Sequence, residues 1–172
     1  MVTVSLCDML ISAEAIKFGN FTLSSGKRST VYIDIKKAIT KPEILKVISC
    51  EMLTYDNSFD AVAGVAVGGI PLAVSVSLAC DKPYVIIRKE QKSHGINNLF
   101  IGDVSGKNIL LVEDVTTSGG SAIFGIEQIR KAGGIINTVI SVVDRDEGAI
   151  DAMDNLGVRL LPLIRMADLV KN

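Results

Sequence analysis

The sequence has few of the residues that build metal centres and disulfide frameworks. It contains three cysteines and one histidine, and Cys7, Cys50 and Cys80 are scattered without a Cys-x-x-Cys or Cys/His spacing. This pattern argues against a zinc site or a disulfide scaffold and predicts reduced thiols in a cytoplasmic protein.

An excess of charge of either sign is also missing. The chain has 18 basic and 19 acidic residues and a net charge of −1. This balance argues against a nucleic-acid-binding surface built on bulk charge, although not against a local basic cluster. We therefore expect no nucleic-acid partner.

Residues 61–80 contain no charged side chain, and a stretch of that length can span a bilayer. However, Gly68, Gly69 and Pro71 would interrupt a single helix in its middle. A buried strand over 61–65, a turn and a helix from 71 explain the same residues, so we predict no membrane segment. The N-terminus lacks a basic segment before its apolar residues, and we do not interpret it as a signal peptide.

The order of apolar patterns predicts a single α/β domain over residues 1–172 with a mainly parallel sheet and helices on both faces. A hairpin is predicted to turn at Ser25-Gly26. The predicted helices are 5–17, 42–55, 71–79, 120–132 and 149–156, and the predicted core strands are 61–65, 84–87, 108–112, 135–143 and 158–163. Ligand sites in such folds lie where the parallel strands end.

The junction after Val112 has the clearest chemical pattern. Glu113 and Asp114 follow an apolar strand, and a loop of hydroxyl-bearing and glycine residues leads from them into a helix. Backbone N–H groups of such a loop bind a phosphate, while carboxylates accept hydrogen bonds from the vicinal hydroxyls of a sugar. The alternative is a capped helix beside two solvated acids. The chain has no GxxxxGK[ST] and no GxGxxG motif, which excludes a Walker loop and a dinucleotide fingerprint.

The stretch "ILLVEDVTTSGGS" resembles the phosphoribosyl pyrophosphate (PRPP) motif of type I phosphoribosyltransferases. In addition, "RKEQKSHG" is similar to the mobile catalytic loop of the orotate phosphoribosyltransferase family, and "FGNFTLSSGKRSTVYID" is similar to its N-terminal hairpin. The resemblance implies the type I fold, with hood elements over about 1–40 and a core over about 41–172.

The resemblance also implies roles for individual residues. Catalytic groups would be Lys92, His94, Lys89, Arg88 and Asp114. PRPP would be bound by these basic residues and by Glu113, Asp114, Val115, Thr116, Thr117, Ser118, Gly119, Gly120, Ser121, Val67, Gly68 and Gly69. Orotate would be bound by Thr117, Arg145, Lys27, Tyr32 and Ile33.

Simpler interpretations stay open for three of these groups. The basic segment from Arg88 to His94 can be a charged surface loop, and Tyr32 can be an ordinary core residue of the hairpin. Arg145 can form a surface ion pair with Asp144 or Asp146.

The sequence departs from the family pattern at two positions. Ser24 and Gly68 stand where many bacterial members have a lysine, so positive charge near the pyrophosphate is lost twice. Lys27 can compensate for the first loss. At the second, the backbone N–H groups of Val67, Gly68 and Gly69 remain available because glycine lets a backbone approach a ligand closely.

The resemblance implies transfer of ribose 5-phosphate from PRPP to N1 of orotate, with Mg²⁺ held mainly by PRPP and water near Asp114. It also implies a homodimer that shares the lid loop, and a separate orotidine monophosphate decarboxylase is left as a further partner. The alternatives are a phosphoribosyltransferase for a purine base and a PRPP-sensing regulator without catalytic activity.

Overall fold

The computed structural model describes residues 4–22, 26, 28–89 and 99–170. Its helices and strands alternate along most of the chain. In order they are α1 (Leu6–Ser12), β1 (Ile16–Thr22), β2 (Arg28–Ile33), α2 (Ile35–Ala38), α3 (Pro42–Tyr55), β3 (Ala61–Val65), α4 (Gly69–Cys80), β4 (Tyr84–Ile87), β5 (Phe100–Ile101), β6 (Asn108–Thr116), α5 (Gly120–Lys131), β7 (Ile135–Asp144), α6 (Ala149–Asp154), β8 (Arg159–Arg165) and α7 (Met166–Leu169).

A six-stranded sheet with the strand order β5-β4-β3-β6-β7-β8 forms the centre of the molecule. Strands β4, β3, β6, β7 and β8 run parallel to one another, and the short β5 pairs antiparallel with β4. Strands β1 and β2 form a separate antiparallel hairpin. The predicted α/β class, with a mainly parallel sheet and an N-terminal hairpin, is confirmed.

Each face of the sheet is covered by helices, so there are two apolar layers. One contains Leu10 of α1, Ile48 of α3 and Leu72 of α4. The other contains Ile126 of α5 and Met153 of α6. All five residues of β3 are buried, as expected of a strand that is covered on both faces.

Helix α3 shows how the sequence specifies these layers. Pro42 occupies the first helical turn, where a missing N–H breaks no intrahelical hydrogen bond. Ile44, Ile48 and Met52 follow at intervals of four residues and are almost completely buried. The apolar stripe therefore faces the sheet.

The predicted helix over 5–17 is too long. Helix α1 begins with a capping box between Ser5 and Asp8 and ends at Ser12. Glu14 then adopts a left-handed backbone conformation with φ of 56°, which no helix continues through. The helix therefore stops, and the chain enters β1 at Ile16.

The predicted strand over 108–112 is too short. Strand β6 continues to Thr116 because β7 pairs with it, matching Glu113 with Ser141 and Thr116 with Asp144. The two acids therefore lie within a strand and not after it. The predicted bounds of α3, β3 and β4 agree with the structure, and those of the remaining predicted elements differ by one or two residues. Elements β5, α2 and α7 were not predicted because two to four residues show no periodicity.

The uncharged stretch over residues 61–80 forms strand β3, a turn and helix α4. Within the described ranges, no helix is long and apolar enough to cross a membrane. The three cysteines are free thiols.

Candidate active site

Strands β4, β3 and β6 are neighbours and run in the same direction, so their carboxyl ends meet at one edge of the sheet. Each of the three is followed by a segment to which the sequence assigned a role. These segments begin at Arg88 after β4, at Ala66 after β3 and at Thr117 after β6.

The acid pair is buried at this edge. Glu113 and Asp114 are each 5% exposed, so they are not the solvated acids of the alternative interpretation. The backbone N–H of Asp114 lies 3.3 Å from Oε1 of Glu113. Oε2 of Glu113 receives no hydrogen bond from any residue that the structure describes. A buried carboxyl oxygen without a hydrogen-bond partner is a costly arrangement that a hydroxyl-bearing ligand would relieve.

The two carboxyls have opposite pKa shifts. Burial, reinforced by the neighbouring Asp114, raises the pKa of Glu113 to about 8. Burial also pushes the pKa of Asp114 upward, but contacts with Glu113 and Lys36 outweigh it and hold that pKa below its ordinary range. The opposite shifts favour a single negative charge on the pair near neutral pH, and the contact with Lys36 favours its location on Asp114.

Lys36 of helix α2 is the charge partner of Asp114. Its Nζ lies 2.6 Å from Oδ2 of Asp114. Sequence reasoning did not identify Lys36, since a pair of lysines after a hairpin is normally a solvated surface feature. The sequence offered one clue to its role. Lys36 lies close to the hairpin motif, because "IDIKK" directly follows "TVY".

The hydroxyl-glycine loop forms a small cavity next to Glu113. Gly119 takes a left-handed conformation with φ of 84°, and helix α5 starts after it without a side-chain cap. The N–H groups in the first turn of α5 are therefore available to bind an anion. The cavity is lined by Glu113, Val115, Thr116, Thr117, Gly119, Gly120, Ser121 and Ala122.

The turn between β3 and α4 packs directly on the acid pair. A Cβ atom built on Gly68 would lie 2.4 Å from Cγ of Asp114, so a side chain here would displace the carboxylate. The same turn also packs closely against strand β3. A Cβ on Gly64 of that strand would lie 2.2 Å from the carbonyl oxygen of Gly69. The peptide bond between Ala66 and Val67 is cis, and the Val67 side chain is 73% exposed.

The basic segment lies partly in the described region. Nζ of Lys89 donates a hydrogen bond of 2.7 Å to Oγ of Ser121, which joins the end of β4 to the first turn of α5. Arg88 is half-buried, and its backbone N–H donates to the carbonyl of Leu99 at 2.8 Å. Lys92 and His94 lie outside the described residues, and so does Lys27 of the hairpin.

Arg145 follows directly on β7, and its backbone N–H donates to the carbonyl of Thr116 at 2.9 Å. Its side chain is 11% exposed and pairs with Glu147 at 3.1 Å. The partners considered for it, Asp144 and Asp146, are engaged elsewhere. Asp144 accepts a hydrogen bond of 2.7 Å from the Thr116 hydroxyl, and Asp146 pairs with Arg165.

The hairpin residues assigned to orotate differ in exposure. Tyr32 is 40% exposed and is not a core residue, and its ring lies 5.6 Å from that of Phe21 on the opposite strand. Ile33 is half-buried and packs against the layer formed by α1, α3 and α4. Thr117 is exposed at the start of the hydroxyl-glycine loop.

A family model described as "Phosphoribosyl transferase domain" matches residues 36–155, which include β3, α4, β6 and α5. The chain, with its parallel sheet and buried acid pair, therefore belongs to the phosphoribosyltransferase class.

Comparison with individual proteins identifies the family within this class. The chain is 71% identical to the orotate phosphoribosyltransferase of Methanospirillum hungatei over 99% of both chains. The crystal structure of orotate phosphoribosyltransferase from Aeropyrum pernix superposes with a TM-score of 0.84 at 33% identity and covers 97% of both chains. The Mycobacterium tuberculosis orotate phosphoribosyltransferase in complex with PRPP gives a TM-score of 0.77 at 30% identity, over 94% of this chain and 95% of that one. The chain belongs to the orotate phosphoribosyltransferase family.

Proposed function

We propose that the protein transfers ribose 5-phosphate from PRPP to orotate, giving orotidine 5′-monophosphate and pyrophosphate in the biosynthesis of pyrimidine nucleotides. The bond from C1′ of the ribose to the pyrophosphate oxygen breaks, and the pyrophosphate leaves with the electron pair. A bond between C1′ and the ionised N1 of orotate forms.

The buried acid pair beside a phosphate-binding helix start is the observation on which this proposal rests. The lowered pKa of Asp114 favours its ionised form and the raised pKa of Glu113 favours its protonated form, and such a pair can both accept and donate hydrogen bonds. A pair of ribose hydroxyls needs both kinds of partner. The first turn of α5 and the hydroxyls of Thr117, Ser118 and Ser121 bind the 5-phosphate.

The pyrophosphate lies against the turn after β3, where it is bound by the backbone N–H groups of Val67, Gly68 and Gly69. Arg88, Lys89, Lys92 and His94 approach it from the segment after β4 and stabilise the charge that grows as it leaves. Orotate binds between Arg145, Thr117 and the hairpin, with Tyr32 and Ile33 beside the ring and Lys27 nearby. The planar guanidinium of Arg145 suits the carboxylate of orotate, which would replace Glu147 as its partner.

Magnesium fits this site as an ion bound mainly by substrate. The described residues contain no group of three or more side chains that could hold a metal, while Asp114 provides an anionic oxygen close to the ribose. Mg²⁺ retains water and binds phosphate oxygens, and it would neutralise part of the charge on the pyrophosphate. Asp114 accepts hydrogen bonds from the ribose or from the water around the ion.

We further propose that residues 1–172 form one domain that acts in the cytoplasm as a homodimer, with the lid loop of each subunit reaching the site of the other. The product would be consumed by a decarboxylase that acts on orotidine monophosphate, and this enzyme is the protein partner that we propose.

The proposal is tested by following the loss of orotate absorbance with PRPP and Mg²⁺. Wild-type protein should consume orotate, and Asp114→Asn should be slower by about a hundredfold because the ribose loses an ionised acceptor. Asp103→Asn removes an exposed carboxylate that pairs with Lys107 and serves as the matched control. Equal rates for all three proteins would contradict the assignment of the acid pair.

A further inference from the structure

Two neighbouring lysines of the short helix α2 have different partners. Nζ of Lys37 lies 2.8 Å from Oε2 of Glu14 at the surface. Nζ of Lys36 lies 2.6 Å from Oδ2 of Asp114, whose side chain is only 7% exposed. Helix α2 thus directs one of its two lysines into the candidate active site.

The ammonium group of Lys36 is charged and accessible. Its contact with Asp114 raises the pKa of Lys36 above its ordinary value, so the side chain is protonated at neutral pH. The side chain is 62% exposed despite that contact. An ammonium group has three N–H donors, and the contact with Asp114 leaves donors for a ligand.

The turn after β3 packs against the same carboxylate. The position of a Cβ on Gly68 is 2.5 Å from Oδ2 of Asp114, the oxygen that Lys36 contacts. Residues 66–69 of this turn are Ala, Val, Gly and Gly, so the turn has no charged side chain of its own. Lys36 brings a cation to a turn that otherwise offers only backbone donors.

We propose that Lys36 is a pyrophosphate-binding residue, whose ammonium group transfers from Asp114 to the pyrophosphate of PRPP when the ribose hydroxyls engage the carboxylate. This inference rests on the proposed function, since it requires PRPP to lie against both the acid pair and the turn after β3. In the free protein Lys36 neutralises the buried carboxylate. In the complex the ribose hydroxyls satisfy Asp114, and the ammonium group is released to a ligand of higher negative charge.

Binding measurements without orotate test this role. Lys36→Met keeps the length of the side chain and removes its charge, and Lys37→Met is the matched control on the same helix. Calorimetric titrations should use PRPP, pyrophosphate and ribose 5-phosphate, each with Mg²⁺. We expect Lys36→Met to bind PRPP and pyrophosphate at least about tenfold more weakly, which corresponds to about 1.4 kcal/mol. Binding of ribose 5-phosphate should change by less than about twofold, since it has no pyrophosphate.

The same titrations can overturn the inference. Unchanged pyrophosphate affinity in Lys36→Met would exclude the contact, and an equal loss for ribose 5-phosphate would show that Lys36 only holds Asp114 in place. Lys36→Arg should recover most of the affinity because it restores the charge, and failure to do so would also count against the proposal. Lys36→Gln replaces the methionine variant if that protein does not fold.

The outcome is independent of catalysis. Absence of orotate turnover with a selective loss of pyrophosphate binding would remove the proposed reaction and leave the role of Lys36 intact. Turnover of orotate with unchanged pyrophosphate binding in Lys36→Met would support the proposed reaction and exclude the role of Lys36.

Discussion

Glu113 and Asp114 are adjacent in the sequence but differ in protonation because their surroundings differ. Asp114 has a lysine within 2.6 Å, while Glu113 is buried next to a negative charge. Two adjacent acids in a sequence predict neither this burial nor this difference, because both depend on the pairing of β6 with β7 and on the position of α2. At the scale of single residues, the acid pair itself was predictable and its electrostatics were not.

Replacing Glu113 with glutamine should make the protein's stability less sensitive to pH. The ordinary pKa of 4.5 applies to the unfolded chain, and the folded value is about 8. Below pH 4.5 both states bind the proton. As the pH rises toward 8 the unfolded chain loses it first, so the free energy of unfolding falls with pH through this window. Glu113→Gln should lack this fall and exceed the wild type at pH 9 by on the order of 1 kcal/mol or more.

Urea unfolding at pH 5, 7 and 9 provides the measurement. Glu127→Gln, at an exposed position on α5, is the matched control and should follow the wild-type curve. A constant difference in unfolding free energy between Glu113→Gln and the wild type across this range would show that Glu113 is not buried in its protonated form.

A methyl group at position 68 should impair the site more than the fold. The Cβ of Gly68→Ala would lie 2.4 Å from Cγ of Asp114, which forces the carboxylate or the turn to move. We expect kcat/KM for PRPP to fall at least about tenfold, because the displaced groups act on the reacting ribose. Thermal unfolding should establish that the variant is folded. Wild-type kinetics in that folded variant would mean that Asp114 has no fixed position in catalysis.

The prediction of elements succeeded where a segment is long and patterned, and failed where neighbouring elements set its limits. The helix at 42–55 and the strands at 61–65 and 84–87 agree with the structure at both ends. In contrast, the left-handed Glu14 and the continued pairing of β6 with β7 moved the bounds of two other elements. The local sequence pattern shows the periodicity of a segment, but it does not show the neighbouring element that extends or ends that segment in the fold.

The layer beneath α5 offers a test at the scale of elements. Ile126 is completely buried between α5 and the sheet, whereas Leu78 on α4 is 80% exposed. Ile126→Ala should lower the free energy of unfolding by about 2 to 5 kcal/mol through lost burial and the cavity that remains. Leu78→Ala should change it by less than about 0.5 kcal/mol. Urea unfolding curves measure both, and similar losses would contradict the packing of α5 on the sheet.

At the scale of the whole molecule, the candidate active site draws on parts of the chain that are far apart in sequence. Lys36, Gly68, Lys89 and Asp114 come from four different segments that the parallel sheet brings to one edge. The sequence predicted three of these segments, since each was expected to follow a strand. It missed Lys36, which reaches the site from the hairpin side through a helix of four residues.

The proposed sharing of the lid between subunits gives a prediction for mixed chains. Lys92→Ala and Asp114→Asn should each be almost inactive alone. If the lid of one subunit serves the site of the other, half of the randomly formed dimers contain one intact site, and activity should recover to about a quarter of the wild type. Activity equal to the sum of the separate variants would indicate that each subunit completes its own site.

The central claim is that this site transfers ribose 5-phosphate from PRPP to orotate and to no other base, with pyrophosphate as the leaving group. The most direct measurement supplies limiting PRPP and Mg²⁺ with equal amounts of orotate, uracil, adenine, guanine and hypoxanthine, and identifies the nucleotides formed by mass spectrometry. We predict orotidine 5′-monophosphate alone. Formation of a purine nucleotide would support the PRPP site but contradict the role of Arg145. If PRPP binds and no nucleotide forms, the protein would be a PRPP-sensing regulator and not an enzyme.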